Sequence, residues 1–208
     1  MDLLGGTKVT LTWERDNVGS GVWGDNTPAP VYPIVDFPDG TLVRSLAQPG
    51  VVFIVFGGAK FRVDAANTLG LNLMLAQLVD VSRVNHLASA PVDGTLLREV
   101  SDAAVYVFYG GAKFWIPDLF ALDFNWDMVH IVPPGTLSNI PIVPRHGTLL
   151  KEQTTDPVYL VKSSPGQSNQ LCWVTSPAVF DSSCLSWRNL RVVPDGSLNA
   201  LPKGPNIS

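Results

Sequence analysis

The chain has 208 residues, 46% of them apolar and 15% charged, with 18 Gly and 17 Pro, which excludes a disordered tail and marks a folded, turn-rich β protein. A formal net charge of -4, with Lys and Arg scattered, speaks against a nucleic-acid binder, which neutralises phosphates with a basic patch or stripe. No run reaches the roughly 18 to 20 apolar residues of a membrane-spanning helix, and Met1-Asp-Leu-Leu-Gly-Gly lacks the basic start and apolar core of a signal peptide, so the chain is either cytoplasmic or has lost a leader.

Residues 1–38 carry no complete repeat. Val9-Thr-Leu-Thr-Trp13 alternates as a strand does, whereas Asn17 to Pro33 is crowded with Gly, Asn, Asp and Pro and reads as loop or irregular edge. The segment reads as a cap or as the remnant of a preceding repeat. The similarity of Tyr32-Pro-Ile-Val-Asp-Phe-Pro-Asp-Gly40 to Ile140-Pro-Ile-Val-Pro-Arg-His-Gly147 favours the remnant.

Three repeats follow, at 39–92, 93–145 and 146–203, with a tail at 204–208. They begin at Asp39-Gly-Thr-Leu-Val-Arg44, Asp93-Gly-Thr-Leu-Leu-Arg98 and His146-Gly-Thr-Leu-Leu-Lys151, and glycines at 40, 94 and 147 set a period of about 53 residues. Each start is a turn and a short strand. Two longer strands come next, as Val52-Phe-Ile-Val-Phe56, Val105-Tyr-Val-Phe-Tyr109 and Val158-Tyr-Leu-Val-Lys162, returning through Phe61-Arg-Val63, Phe114-Trp-Ile116 and Cys172-Trp-Val174. In the third repeat the Gly-Gly turn gives way to a polar loop, Ser163 to Gln170, expected to be mobile. Helical composition follows at Asp64 to Leu71, Pro117 to Asp123 and Thr175 to Phe180, where Pro117-Asp118 and Ser176-Pro177 suit a helix first turn. A last strand and turn end the unit, as Met128-Val-His-Ile-Val-Pro-Pro-Gly-Thr-Leu137 and Asn189-Leu-Arg-Val-Val-Pro-Asp-Gly-Ser-Leu198, with Gln77 to Val84 in the same slot of the first.

The middle hairpin is the best specified stretch. Gly110-Gly111 accommodates the positive φ angles of a two-residue turn, which pairs Tyr109 with Ala112, Phe108 with Lys113, Val107 with Phe114, Tyr106 with Trp115 and Val105 with Ile116. Alternation then puts Val105, Val107, Phe114 and Ile116 on a core face. The other face carries Tyr106, Phe108, Lys113 and Trp115.

The repeat resembles one found in predicted secreted bacterial proteins, in which a GTLLRE-like start precedes VYVxxGGAKFWIP and a VxVVPxGxL ending. The resemblance covers about residues 33–203 and is fullest in the second repeat. It implies tandem modules in an extracytoplasmic setting and carries no activity to individual residues.

Composition and motifs favour no catalytic site. No GxSxG, HExxH or P-loop pattern occurs, and His86, His130 and His146 fall at different offsets and read as surface or turn residues, His146 replacing the turn Asp. The Asp-Gly turns offer one carboxylate each where calcium needs six or more oxygens. Neither a metal nor a cofactor is expected. Cys172 and Cys184, with no ligand spacing and no CxxC, read first as a structural disulfide, with two buried free thiols as the alternative.

The expected fold is mainly β with short helices, a three-repeat array, with a closed trefoil-like or propeller-like arrangement as the alternative. Aromatic and basic residues recur on the hairpins: Phe53, Tyr106 and Tyr159 at one repeat position, faced by Lys60 and Arg62, by Lys113 and Trp115, and by Trp173. Rings beside polar donors suit sugar faces. The sequence therefore favours a non-enzymatic binding module for cell-surface or extracellular carbohydrate. A structural or protein-interaction module of a larger surface assembly is the second reading, and the structural account of the same rings is packing between repeats.

Overall fold

In each repeat a Gly-Thr-Leu turn feeds a short strand that pairs with a hairpin on one side and with the strand ending the repeat on the other. The structure, a computed structural model, describes residues 37–64, 69–163, 166 and 168–208. The expected strand at Val9 to Trp13, the loop from Asn17 to Pro33 and the cap or remnant as far as residue 36 lie outside the described residues. So do parts of the helical stretch 64–71 and of the loop 163–170.

The first sheet comprises β1 (Leu42–Ser45), β2 (Gln48–Phe56), β3 (Ala59–Val63) and β4 (Gln77–Val79), the second β5 (Leu96–Glu99), β6 (Val105–Tyr109), β7 (Ala112–Ile116) and β8 (Val129–Val132). The third comprises β9 (Leu149–Glu152), β10 (Val158–Lys162), β11 (Gln170–Val174) and β12 (Leu190–Val193). All three share one order, β3-β2-β1-β4 in the first, with the hairpin strands antiparallel and the last strand parallel to the first. Parallel pairing needs a crossover, which the helical segment between third and fourth strands supplies. The middle hairpin has the register expected from its sequence, Tyr109 opposite Ala112 through Val105 opposite Ile116. Both turn glycines take positive φ, 57° and 75°.

The sheets stack face to face. Ile54, Phe56 and Phe61 of the first share a core with Leu97, Phe108 and Val132 of the second. On its other face Val105, Val107, Phe114 and Ile116 pack with Leu150, Val161 and Val193 of the third. The middle sheet is therefore buried on both faces. Each outer face has a cover from its own repeat: α1 (Val81–His86) brings Val84 to Val43 and Val55, and α2 (Pro177–Ser182) brings Phe180 to Leu149 and Val174. Among the described residues no core cluster joins the first sheet with the third and no barrel closes, so a tandem array forms rather than the closed alternative.

The recurrent sequence signature is explained by hydrogen bonds. The turn aspartates accept the N–H of the hairpin glycine, Gly57 to Asp39 Oδ1 at 2.7 Å and Gly110 to Asp93 Oδ1 at 2.8 Å. His146 takes over this task in the third repeat by accepting the Ser163 N–H. The other oxygen of each aspartate meets a side-chain nitrogen from the next repeat: His130 Nε2 stands 3.2 Å from Asp39 Oδ2, and Arg191 Nε 3.1 Å from Asp93 Oδ2. His130 also stacks on Phe56 at 4.6 Å, so it clamps two repeats together rather than standing as a plain surface residue. Glu99 accepts the N–H groups of Gly135 and Leu137, and Glu152 that of Leu198, which ties the start of a repeat to its closing Pro-x-Gly turn.

Three expectations are corrected. In the first repeat the slot after β4 holds a helix, because Asp80 replaces the proline of the other repeats and caps the Ser82 N–H at 2.8 Å. In the second, the helical stretch shrinks to a single 3-10 turn at Phe120–Leu122, closed by Asp123 at φ 58°. The third concerns the cysteines, which are free: Cys172 is buried on β11 against the C-terminal segment, where a Cβ on Gly204 would come within 2.8 Å of its Sγ, whereas Cys184 is exposed beyond α2 at φ 54°. The two thiols face different surroundings. Alkylation without reductant is expected to label one thiol, Cys184, in native protein and both after denaturation; no labelling in denatured, unreduced protein would restore the disulfide.

Candidate interaction edge

The ring positions of the three hairpins are equivalent in space as well as in sequence, and each holds an ammonium. Lys60 Nζ lies 5.8 Å from the Phe53 ring centre, Lys113 Nζ 5.3 Å from that of Tyr106, and Lys203 Nζ 4.7 Å from that of Tyr159. Each ammonium also donates to a main-chain carbonyl closing the same repeat: Val84, Leu137 and Leu198 respectively. Burial holds the Lys60 and Lys203 amines below the usual lysine range. In the third repeat Leu171 stands where the others have lysine, and Lys203 reaches in from the C-terminal segment to do its work. Only the outcome, a cation over each ring, was periodic; its donor changes.

These contacts sort the sequence-derived residues. Lys60 and Lys113 engage the fold, and Phe53, Tyr106 and Tyr159 are half-buried against the core clusters. Arg62 is exposed and paired with Asp64 at 3.0 Å. Phe108, on the same face as Tyr106, is fully buried against the first sheet, so that part of the aromatic face is an interface between repeats. Trp115 remains 56% exposed and Trp173 38%.

Trp115 borders a groove of about 520 Å³ along the outer edge of β7, lined by Tyr106, Trp115, Pro117 and Ile142 and closed by the turn from Pro194 to Leu201. Ile142, which sequence reasoning did not single out, is 59% exposed there. Side chains facing the groove are mostly apolar, and its Asp195 already accepts the Thr154 N–H and hydroxyl, which hold its carboxyl below the usual range. A smaller cleft of about 260 Å³ lies beside Trp173, Phe180 and Trp187, with Phe180 stacked on Trp187 at 3.9 Å. Its hydroxyls serve the fold, Ser176 capping Val179 and Thr175 donating to the Ile207 carbonyl.

Among the described residues no group of three or more His, Cys, Asp or Glu side chains is placed to hold a metal ion, and no helix is long and apolar enough to cross a membrane.

No family model and no curated protein matches the chain. Among solved structures it is similar to a chain of the periplasmic assembly from the ESX-5 inner membrane complex, at 14% identity and a TM-score of 0.24, over 82% of this chain and 66% of that one. A chain of the intact ESX-5 inner membrane complex is similar at 15% identity and a TM-score of 0.22, over 82% and 57% respectively. The protein thus spans less than two thirds of the length of either.

Proposed function

We propose that the chain is a non-enzymatic protein-interaction module of a larger assembly, docking through the edge of β7. The observation that carries this reading is the apolar groove with Trp115 and Ile142 exposed side by side on a sheet edge. A sugar site needs free polar donors beside the ring. Here the lysines that the sequence offered for that role donate to carbonyls of their own repeats, which favours a polypeptide over a glycan.

The cleft between Trp173 and Trp187 keeps carbohydrate as the second reading, since two exposed indoles flank it. A glycan array separates the two. No retention on any glycan is expected, and Trp115→Ala is expected to change stability by only about 1 kcal/mol or less, as an exposed substitution. Specific glycan binding that is lost in Trp115→Ala or Trp187→Ala would replace the protein-interaction reading with the carbohydrate one.

A further inference from the structure

The chain carries, on its own third sheet, a template for what the β7 edge accepts. After Leu201 the C-terminal segment runs parallel along β11: Leu171 N–H donates to the Pro202 carbonyl at 2.8 Å, Gly204 N–H to Leu171 at 2.9 Å and Ile207 N–H to Trp173 at 2.8 Å. Thr175 then donates its N–H to Ile207 at 3.1 Å. Ile207 reaches the apolar cluster of Val174 and Phe180. The outer edge is thereby paired at Leu171, at the Trp173 carbonyl and at Thr175.

The middle repeat begins the same way and then departs. Lys113 N–H donates to the Pro141 carbonyl at 3.1 Å, but beyond Ile142 the chain turns back, and Arg145 N–H meets Gly110 at 2.9 Å to start the next repeat. Trp115, the counterpart of Trp173, keeps its outward backbone groups without a hydrogen bond from any described residue. The first sheet turns back likewise, yet its open half carries Arg62 and Asp64, an exposed charged pair that discourages strand addition. Among the described residues, only on β7 does the open half border an apolar groove.

The geometry points to parallel strand addition at β7: an extended segment of a partner polypeptide lies along Trp115, donates an N–H to its carbonyl, and sets an aliphatic side chain into the groove beside Ile142 and Leu201. This rests on the protein-interaction reading above and specifies its chemistry. Two features narrow the partner. Its residue that donates to the Trp115 carbonyl cannot be proline, and the segment is short, because Pro117 lacks the N–H that Thr175 contributes on β11. A second copy's own C-terminal segment fits less well, since Lys203 would meet Lys113 where β11 offers Leu171.

Linear peptides selected from a random displayed library on the intact chain, with counter-selection on Trp115→Ala/Ile142→Ala, provide the probe. Methylating the peptide amides one at a time is expected to weaken binding about tenfold or more at alternate positions only, where N–H groups face β7, each carrying a hydrogen bond worth about 1.4 kcal/mol in this setting. A paramagnetic label on the peptide N terminus is expected to broaden Ile142 more than Pro117. Even tolerance of methylation along the peptide, or the reverse broadening, would overturn strand addition while leaving the interaction reading intact. If no peptide distinguishes the wild type from the double variant, both fail; self-association abolished by the double variant would give the edge to a second copy and overturn the partner proposed here.

Discussion

Phe108→Ala is expected to cost about 3 to 5 kcal/mol, the range for truncating a buried aromatic side chain whose surroundings close only in part. Phe108 has no exposed surface and sits between two repeats, against Leu97 and Val132 of its own sheet and Ile54, Phe56 and Phe61 of the one before. Neither sheet can follow the missing ring without losing the opposite face of the middle sheet, which is itself packed on the third. Chemical denaturation monitored by tryptophan fluorescence gives the value, with Trp115→Ala as the exposed counterpart on the same face. Equal, small losses for the two variants would show that the repeats do not stack as described.

That contrast marks where the sequence stops being informative. The hairpin register was legible because two adjacent glycines between apolar runs leave few other turns, and the period was legible because Gly-Thr-Leu recurs. Alternation gave the two faces of the middle hairpin but not their surroundings. A face bearing Tyr106, Phe108 and Trp115 reads alike whether it meets solvent or another sheet, and here Phe108 meets a sheet while Trp115 meets solvent. The partners of Lys60 and Lys113 were equally hidden, since each carbonyl lies 24 residues further on. Ile142 was missed because its exposure depends on the chain turning back at that point. Of the features missed, only α1 had a local signal, where Asp80 followed by Ser82 replaces Pro-Pro-Gly and caps a first turn.

Several departures from the repeat pattern fall in the third repeat. Asp39 and Asp93 each serve a turn N–H with one oxygen and a side-chain nitrogen of the next repeat, on His130 and Arg191 respectively, with the other. His146 at the third position serves the turn N–H of Ser163. The Gly-Gly turns follow the same logic, because each is overlain by the threonine that opens the next repeat. In the third repeat β10 ends at Lys162 and β11 begins at Gln170. Repetition in this chain thus encodes stacking.

Gly110→Ala tests that logic and is expected to cost about 3 kcal/mol, combining overpacking with the strain of a side chain at positive φ. Gly110 has φ 57°, and a Cβ there would lie 2.1 Å from Thr148 Oγ1, 2.9 Å from its Cγ2 and 3.0 Å from Pro144 Cβ. Gly111, at φ 75°, has only Ala90 Cβ within reach among the described residues, at 3.9 Å. Gly111→Ala therefore carries the backbone strain without the collision and should cost about 1 kcal/mol. Adding Thr148→Ala to Gly110→Ala removes both threonine atoms nearest the new methyl, so the double variant should be more stable than the sum of its single changes predicts. A double-mutant cycle in urea measures the coupling. Strict additivity, or equal costs at the two glycines, would mean that the threonine of the third repeat does not lie over the turn of the second.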